Sequence, residues 1–218
     1  MPVNRTADGS RPRSIAWKSS PVVWFGLTLA AIALVSALSP AEKVLGSNAR
    51  IVYLHGAWVW ASLAGFTAAA LVGLAAWALR RPTLHLWSRA LGRTGLFFWI
   101  TYLPISMWAM QTSWNGLYLA EPRFRLAVIF SISGVLLQIG LTLLENPAWT
   151  SAANIAFAAV LYAALLTTQN VMHPPSPMLN SDASRIQLYF LLLLILTLIA
   201  AWQVARWWRQ LEPEPEQK

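Results

Sequence analysis

Long apolar runs separated by short polar breaks set the pattern of this chain. No Asp, Glu, Lys or Arg occurs between Lys18 and Glu42, Arg50 and Arg80, Arg93 and Glu121, Arg125 and Glu145, Glu145 and Asp182, or Arg185 and Arg206. Each run can supply the roughly 20 apolar residues that cross a hydrocarbon core of about 30 Å. Lipid offers the backbone no hydrogen-bond partner, so each crossing must be helical. The pattern predicts helices over residues 22–38, 51–79, 94–110, 126–144, 152–168 and 186–207. The fold class is therefore all-α, a polytopic membrane protein with six transmembrane helices.

The breaks carry the expected punctuation. Ser39-Pro40, Arg80-Arg81-Pro82 and Glu145-Asn146-Pro147 each end a run with a residue that cannot continue a helix. Pro104 inside the third run predicts a kink, and residues 82–92, with His85 and Trp87, read as a loop. Prolines around His173 exclude a helix throughout residues 169–185. The chain divides into an N-terminal segment (1–18), one six-helix domain (19–208) and a C-terminal tail (209–218) whose Glu and Pro alternation reads as solvated. In the second run Ala61, Gly65, Ala69 and Gly73 recur every four residues, a small face for close helix packing within the bundle or against another chain.

Composition agrees with the pattern: at 57% hydrophobic and 11% charged, the chain has too few charges to coat a soluble globule. The net charge of +8 mostly reflects topology. With both termini inside, Arg5, Arg11, Arg13, Lys18, Arg80, Arg81, Arg89, Arg93, Arg206, Arg209 and Lys218 gather on the cytoplasmic side, leaving Lys43, Arg50, Arg123, Arg125 and Arg185 outside. These residues are spread over several loops, which gives no footing for nucleic acid but suits contact with an anionic lipid bilayer. The basic first segment is like a signal n-region, yet the run after it is as long as a membrane span and reads as an anchor. Absence of cysteine excludes disulfides, thiolate metal sites and covalent haem attachment through C-x-x-C-H, so any cofactor is held noncovalently.

Candidate chemistry rests on the histidines. His55 follows one crossing and His173 follows five, so both face the outer side, whereas His85 follows two and faces the inner side. Two neutral imidazoles on one face can ligate a haem iron axially, about 4 Å apart at roughly 2 Å per Fe–N bond. The other reading of His55 is an interfacial histidine among aromatic-belt residues. Met172 and Met178 share the outer face and are alternative ligands or plain packing residues. Arg123 and Arg125 are candidate partners for haem propionates, or interface anchors. Trp58, Trp114 and Tyr118 could offer flat surfaces to a porphyrin. No G-x-S-x-G, H-E-x-x-H or P-loop occurs, so hydrolase and NTPase chemistry has no residues behind it.

The order of these features resembles the CcmC family of haem-handling proteins in cytochrome c biogenesis. Tyr53-Leu54-His55-Gly56-Ala57-Trp58 is similar to that family's first histidine element, and Asn170-Val171-Met172-His173-Pro174-Pro175 to its second. Trp114 with Glu121-Pro122-Arg123-Phe124 resembles a worn tryptophan-rich motif, in which Gly116 or Leu117, Tyr118 and Ala120 stand for tryptophans and Glu121 for an aspartate. The likeness covers residues 50–190. It implies a bacterial cytoplasmic-membrane protein that holds haem b at the outer face between His55 and His173. It further implies that haem passes to a haem chaperone or apocytochrome, with ABC-transporter subunits as partners and no bond rearrangement of the protein's own. Two other readings are a membrane b-type cytochrome that keeps its haem for electron transfer, and a structural subunit that binds none.

Overall fold

A computed structural model describes residues 20–172 and 177–212. They form six helices: α1 (Pro21–Leu38), α2 (Ala49–Leu79), α3 (Pro82–Trp114), α4 (Pro122–Leu144), α5 (Pro147–Thr167) and α6 (Ser184–Leu211). Proline opens α1, α3, α4 and α5, where its missing N–H costs nothing and its fixed φ suits the first turn. Arg80, Asn115 and Glu145 close α2, α3 and α4 in the left-handed conformation that stops a helix.

α1, α2, α4, α5 and α6 are each long and apolar enough to cross a membrane. α3 is less apolar, because Arg89 and Arg93 lie in its first half and Trp99, Thr101, Tyr102, Pro104 and Ser106 in its second. It nevertheless runs antiparallel to α2 along the whole of that helix. Asn48 donates to the Thr112 carbonyl at one end (3.0 Å), Ser62 to the Gly95 carbonyl in the middle (2.8 Å), and Ser88 to the Ala69 carbonyl further on (2.8 Å). The chain is an all-helical polytopic membrane protein.

Contacts between helix ends define an up-and-down bundle. Arg50 at the start of α2 donates to the Ser39 carbonyl just past α1, while the start of α3 meets the ends of α4 and α6 and the start of α5. One end of the bundle therefore holds His55 with the 115–121 connection, the end of α5 and the start of α6. The other holds His85 with the α2–α3 and α4–α5 turns.

The small face of α2 is spent inside the bundle. A Cβ on Gly65 would sit 2.8 Å from Gly95 Cα, and one on Gly73 would lie 3.1 Å from both Ser88 Oγ and Ser151 Cβ. Backbones thus approach closely where only glycine fits. Phe66, Phe98, Trp99, Leu161, Phe190 and Leu193 fill the core around this hairpin. On α4, Ile129, Ile132, Leu136, Ile139 and Leu143 point outward at helical spacing, the face a bilayer would cover.

Three expectations are corrected. Residues 82–92 are not a loop: Pro82 starts α3 directly after a two-residue turn, and Arg89 and Arg93 are tolerated in a helix because other groups neutralise and bond them. α4 and α5 begin at Pro122 and Pro147, earlier than the expected residues 126 and 152, with Glu121 and Asn146 as caps. The tail is not solvated from its start either, since Leu211 is helical and the Glu212 side chain is 7% exposed in two ion pairs.

Candidate functional site at the His55 end

His55 sits in the second turn of α2, half-buried, with its ring 5.5 Å from the buried ring of Tyr102 on α3. The neighbouring Gly56 has no room for a side chain: a Cβ there would collide with Met178 Cε and come 3.2 Å from the Phe190 ring. Met178 is thereby committed to packing, which docks the segment before α6 onto α2 beside His55. Met172 is exposed. His173 lies outside the described residues. α5 ends and α6 begins at this same end.

Trp114 and Tyr118 meet edge to face at 5.8 Å where α3 gives way to the 115–121 connection, and Tyr118 is exposed. Arg123 is half-buried in the first turn of α4 and Arg125 is exposed. Trp58 is set apart from this group. Its indole N–H donates to Thr101 Oγ1 at 3.0 Å, its ring packs on Phe98 at 5.2 Å, and it is 8% exposed in the α2–α3 seam. It offers no flat surface at the bundle end. His85 does not join His55: its Nδ1 lies 2.7 Å from Ser151 Oγ, near the far end of α2, roughly 35 Å away along that helix.

Several polar atoms at the His55 end have no hydrogen-bond partner among the described residues. They are Tyr53 OH, Ser113 Oγ, Glu121 Oε1 and Arg123 Nε, all buried. Glu121 spends its other oxygen on the Phe124 N–H (2.7 Å) as the cap of α4, and is itself 4% exposed. Buried polar atoms are nearly always satisfied, so these atoms call for a partner beyond the described residues, as do Gln138 Oε1 and Trp208 Nε1 toward the other end. The sequence reading missed Tyr102, Tyr53 and Ser113. Only a Glu-Pro step ahead of an apolar run hinted at the capping role of Glu121.

The available donors suit a particular kind of ligand. Among the described residues no group of three or more His, Cys, Asp or Glu could hold a bare metal ion. A single imidazole does suit the axial position of a metal already held by a macrocycle, and an unbonded guanidinium N–H suits a carboxylate. His55, Arg123, Tyr118 and Trp114 thus fit a planar, anionic metalloporphyrin on the donors they supply. Comparison with models of protein families, with curated proteins and with solved structures finds no match for this chain.

Proposed function

We propose that this protein binds haem noncovalently at the His55 end and hands it on in cytochrome c maturation. The observation that carries the proposal is the half-buried His55 imidazole in the same bundle end as the orphaned Arg123 Nε, an axial ligand and a propionate partner in one place. His55 and His173 would hold the iron, Arg123 and Arg125 the propionates, and Trp114 and Tyr118 the porphyrin edge. Bound haem would supply the iron centre, and everything else would fall to the protein: orientation, charge balance and release.

The excess of Lys and Arg toward the other end supports an outer-face position for this one; in a bacterial cytoplasmic membrane the acceptor would be a haem chaperone or apocytochrome working beside ABC-transporter subunits. Delivery is favoured over electron conduction by one observation. His85, the remaining histidine, is hydrogen-bonded to Ser151 near the opposite end, which leaves no histidine between the two faces to hold a second haem. The test is transfer: load the reconstituted protein with haem, add an apo haem-binding acceptor, and follow the Soret band after separation. We expect haem to move to the acceptor. Haem that stays with the membrane fraction would overturn delivery in favour of a cytochrome.

A further inference from the structure

α2 and α3 lock together in one antiparallel register. Asn48 donates to the Thr112 carbonyl, Trp58 to the Thr101 hydroxyl and Ser62 to the Gly95 carbonyl, and Gly65 lies against Gly95 with no space for a Cβ between them. His55, three residues before Trp58 and seven before Ser62, falls on the same face of α2. The register sets Tyr102 of α3 beside it, with ring centroids 5.5 Å apart and planes tilted by 60°. Slippage would break three hydrogen bonds and open the Gly65 contact, so the pairing of these two rings is a fixture of the hairpin.

That pairing supplies what the backbone alone does not. A helix places the Cβ of a histidine, but the χ2 torsion that turns its ring is broad. The plane of the imidazole therefore depends on what packs against it. Toward α3 that neighbour is the Tyr102 ring, which is buried and itself held in place. Trp99 meets it edge to face at 5.1 Å, and the buried Trp99 donates its indole N–H to the Ala127 carbonyl of α4 at 3.1 Å. Phe66 of α2 packs on Trp99 in turn, at 6.1 Å. Three helices thus stand behind one side of His55. Other groups assigned to haem are of a different kind: Tyr118 and Arg125 are exposed, one on a connection and one in the first turn of α4. They can follow a ligand that enters and leaves, whereas Tyr102 cannot move without α3.

We propose that Tyr102 is a positioning residue for haem: its ring sets the plane of the His55 imidazole, and so the orientation of the axial ligand, without itself bonding iron. This role rests on the haem reading above. Neighbours that orient a metal-ligating histidine weaken metal binding when they are lost. Here the neighbour acts through its ring and not its hydroxyl, so Tyr102→Phe should behave as wild type and Tyr102→Leu should not. The test is electron paramagnetic resonance of the full chain loaded with ferric haem in detergent, beside a haem titration. Low-spin g-values report the angle between the axial imidazole planes. Tyr102→Leu should shift or broaden them and weaken haem binding about tenfold, while Tyr102→Phe preserves both. Phe98→Leu is the control: it removes another buried ring from the same seam, one packed on Trp58, and should lower stability with the g-values unchanged. Should Tyr102→Leu fail to fold, Tyr102→Met, which fills space without a flat face, takes its place with the same expected shift. Unchanged g-values and affinity in the folded variant, or an equal change in Phe98→Leu, would overturn the role of Tyr102 alone. Wild type that takes up no haem, or takes it up equally after His55→Ala, would overturn the haem reading and this role with it.

Discussion

Glu121 and Glu212 are both buried glutamates at helix boundaries, one at each end of the bundle, and they are treated in opposite ways. Glu212 meets two guanidinium groups and keeps neither oxygen free. Glu121 caps one backbone N–H and leaves Oε1 without a partner among the described residues. The neighbourhoods repeat the contrast only in part. At the Glu212 end, Asn154 bonds Ser88 and His85 bonds Ser151, although Gln138 Oε1 and Trp208 Nε1 have no partner among the described residues. At the Glu121 end, the hydroxyls of Tyr53 and Ser113 and the Nε of Arg123 are buried and have no partner among the described residues. One set of helices therefore ends in an ion-paired lock around Glu212 on one side and, on the other, in a buried carboxylate oxygen without a partner among the described residues.

The sharpest way to break that contrast is the same substitution at both glutamates. Glu212→Gln in zwitterionic lipid should lose about 3 kcal/mol, because it strands two guanidinium charges that a neutral amide cannot balance. Glu121→Gln should change stability by under about 1 kcal/mol, since the amide oxygen can still cap α4 and the orphaned charge is removed. Unfolding of the two variants side by side checks this. Equal losses would mean that the two ends are built alike.

A smaller effect sharpens the picture at the His55 end. Glu42, in the connection between α1 and α2, accepts from the Leu45 and Val44 backbone N–H groups, and these bonds hold its carboxyl below the usual range. A depressed value means that the unfolded chain binds the proton first as pH falls. Its contribution is thus present above about pH 4.3, the ordinary glutamate value, and is lost as pH drops through the lower folded one. Glu42→Gln should flatten the acid side of the stability profile slightly and leave the neutral side unchanged. A variant whose acid limb matches wild type would show that the turn carries none of this dependence.

How far the sequence was legible follows from what each end is made of. Runs without charge were enough for the helix count and the up-and-down order, because a bilayer enforces both. They failed at residues 82–92, where charge was taken to mean loop. Arg89 and Arg93 are tolerated in a helix because Glu212, over a hundred residues away in sequence, pairs with both, and no local pattern reports that. The four-residue spacing of Ala61, Gly65, Ala69 and Gly73 was legible as a packing face, and Gly95 turned out to be its counterpart. Trp58 was misplaced for a related reason: its position one turn past His55 suggests a shared surface, while helical rotation turns it into the α2–α3 seam. At the candidate site, crossing parity put His55 at the end where Arg123, Trp114 and Tyr118 also lie. The orphaned Tyr53 and Ser113 hydroxyls could only come from burial, which a sequence does not print.

The most direct measurement of the central claim is an absorbance titration of the purified protein with haem, repeated with His55→Ala and His173→Ala. The account expects a low-spin, bis-histidine spectrum in wild type, weakened in each variant with a loss of affinity of tenfold or more. A wild-type spectrum that survives unchanged in both variants, or no haem binding at all, would contradict it.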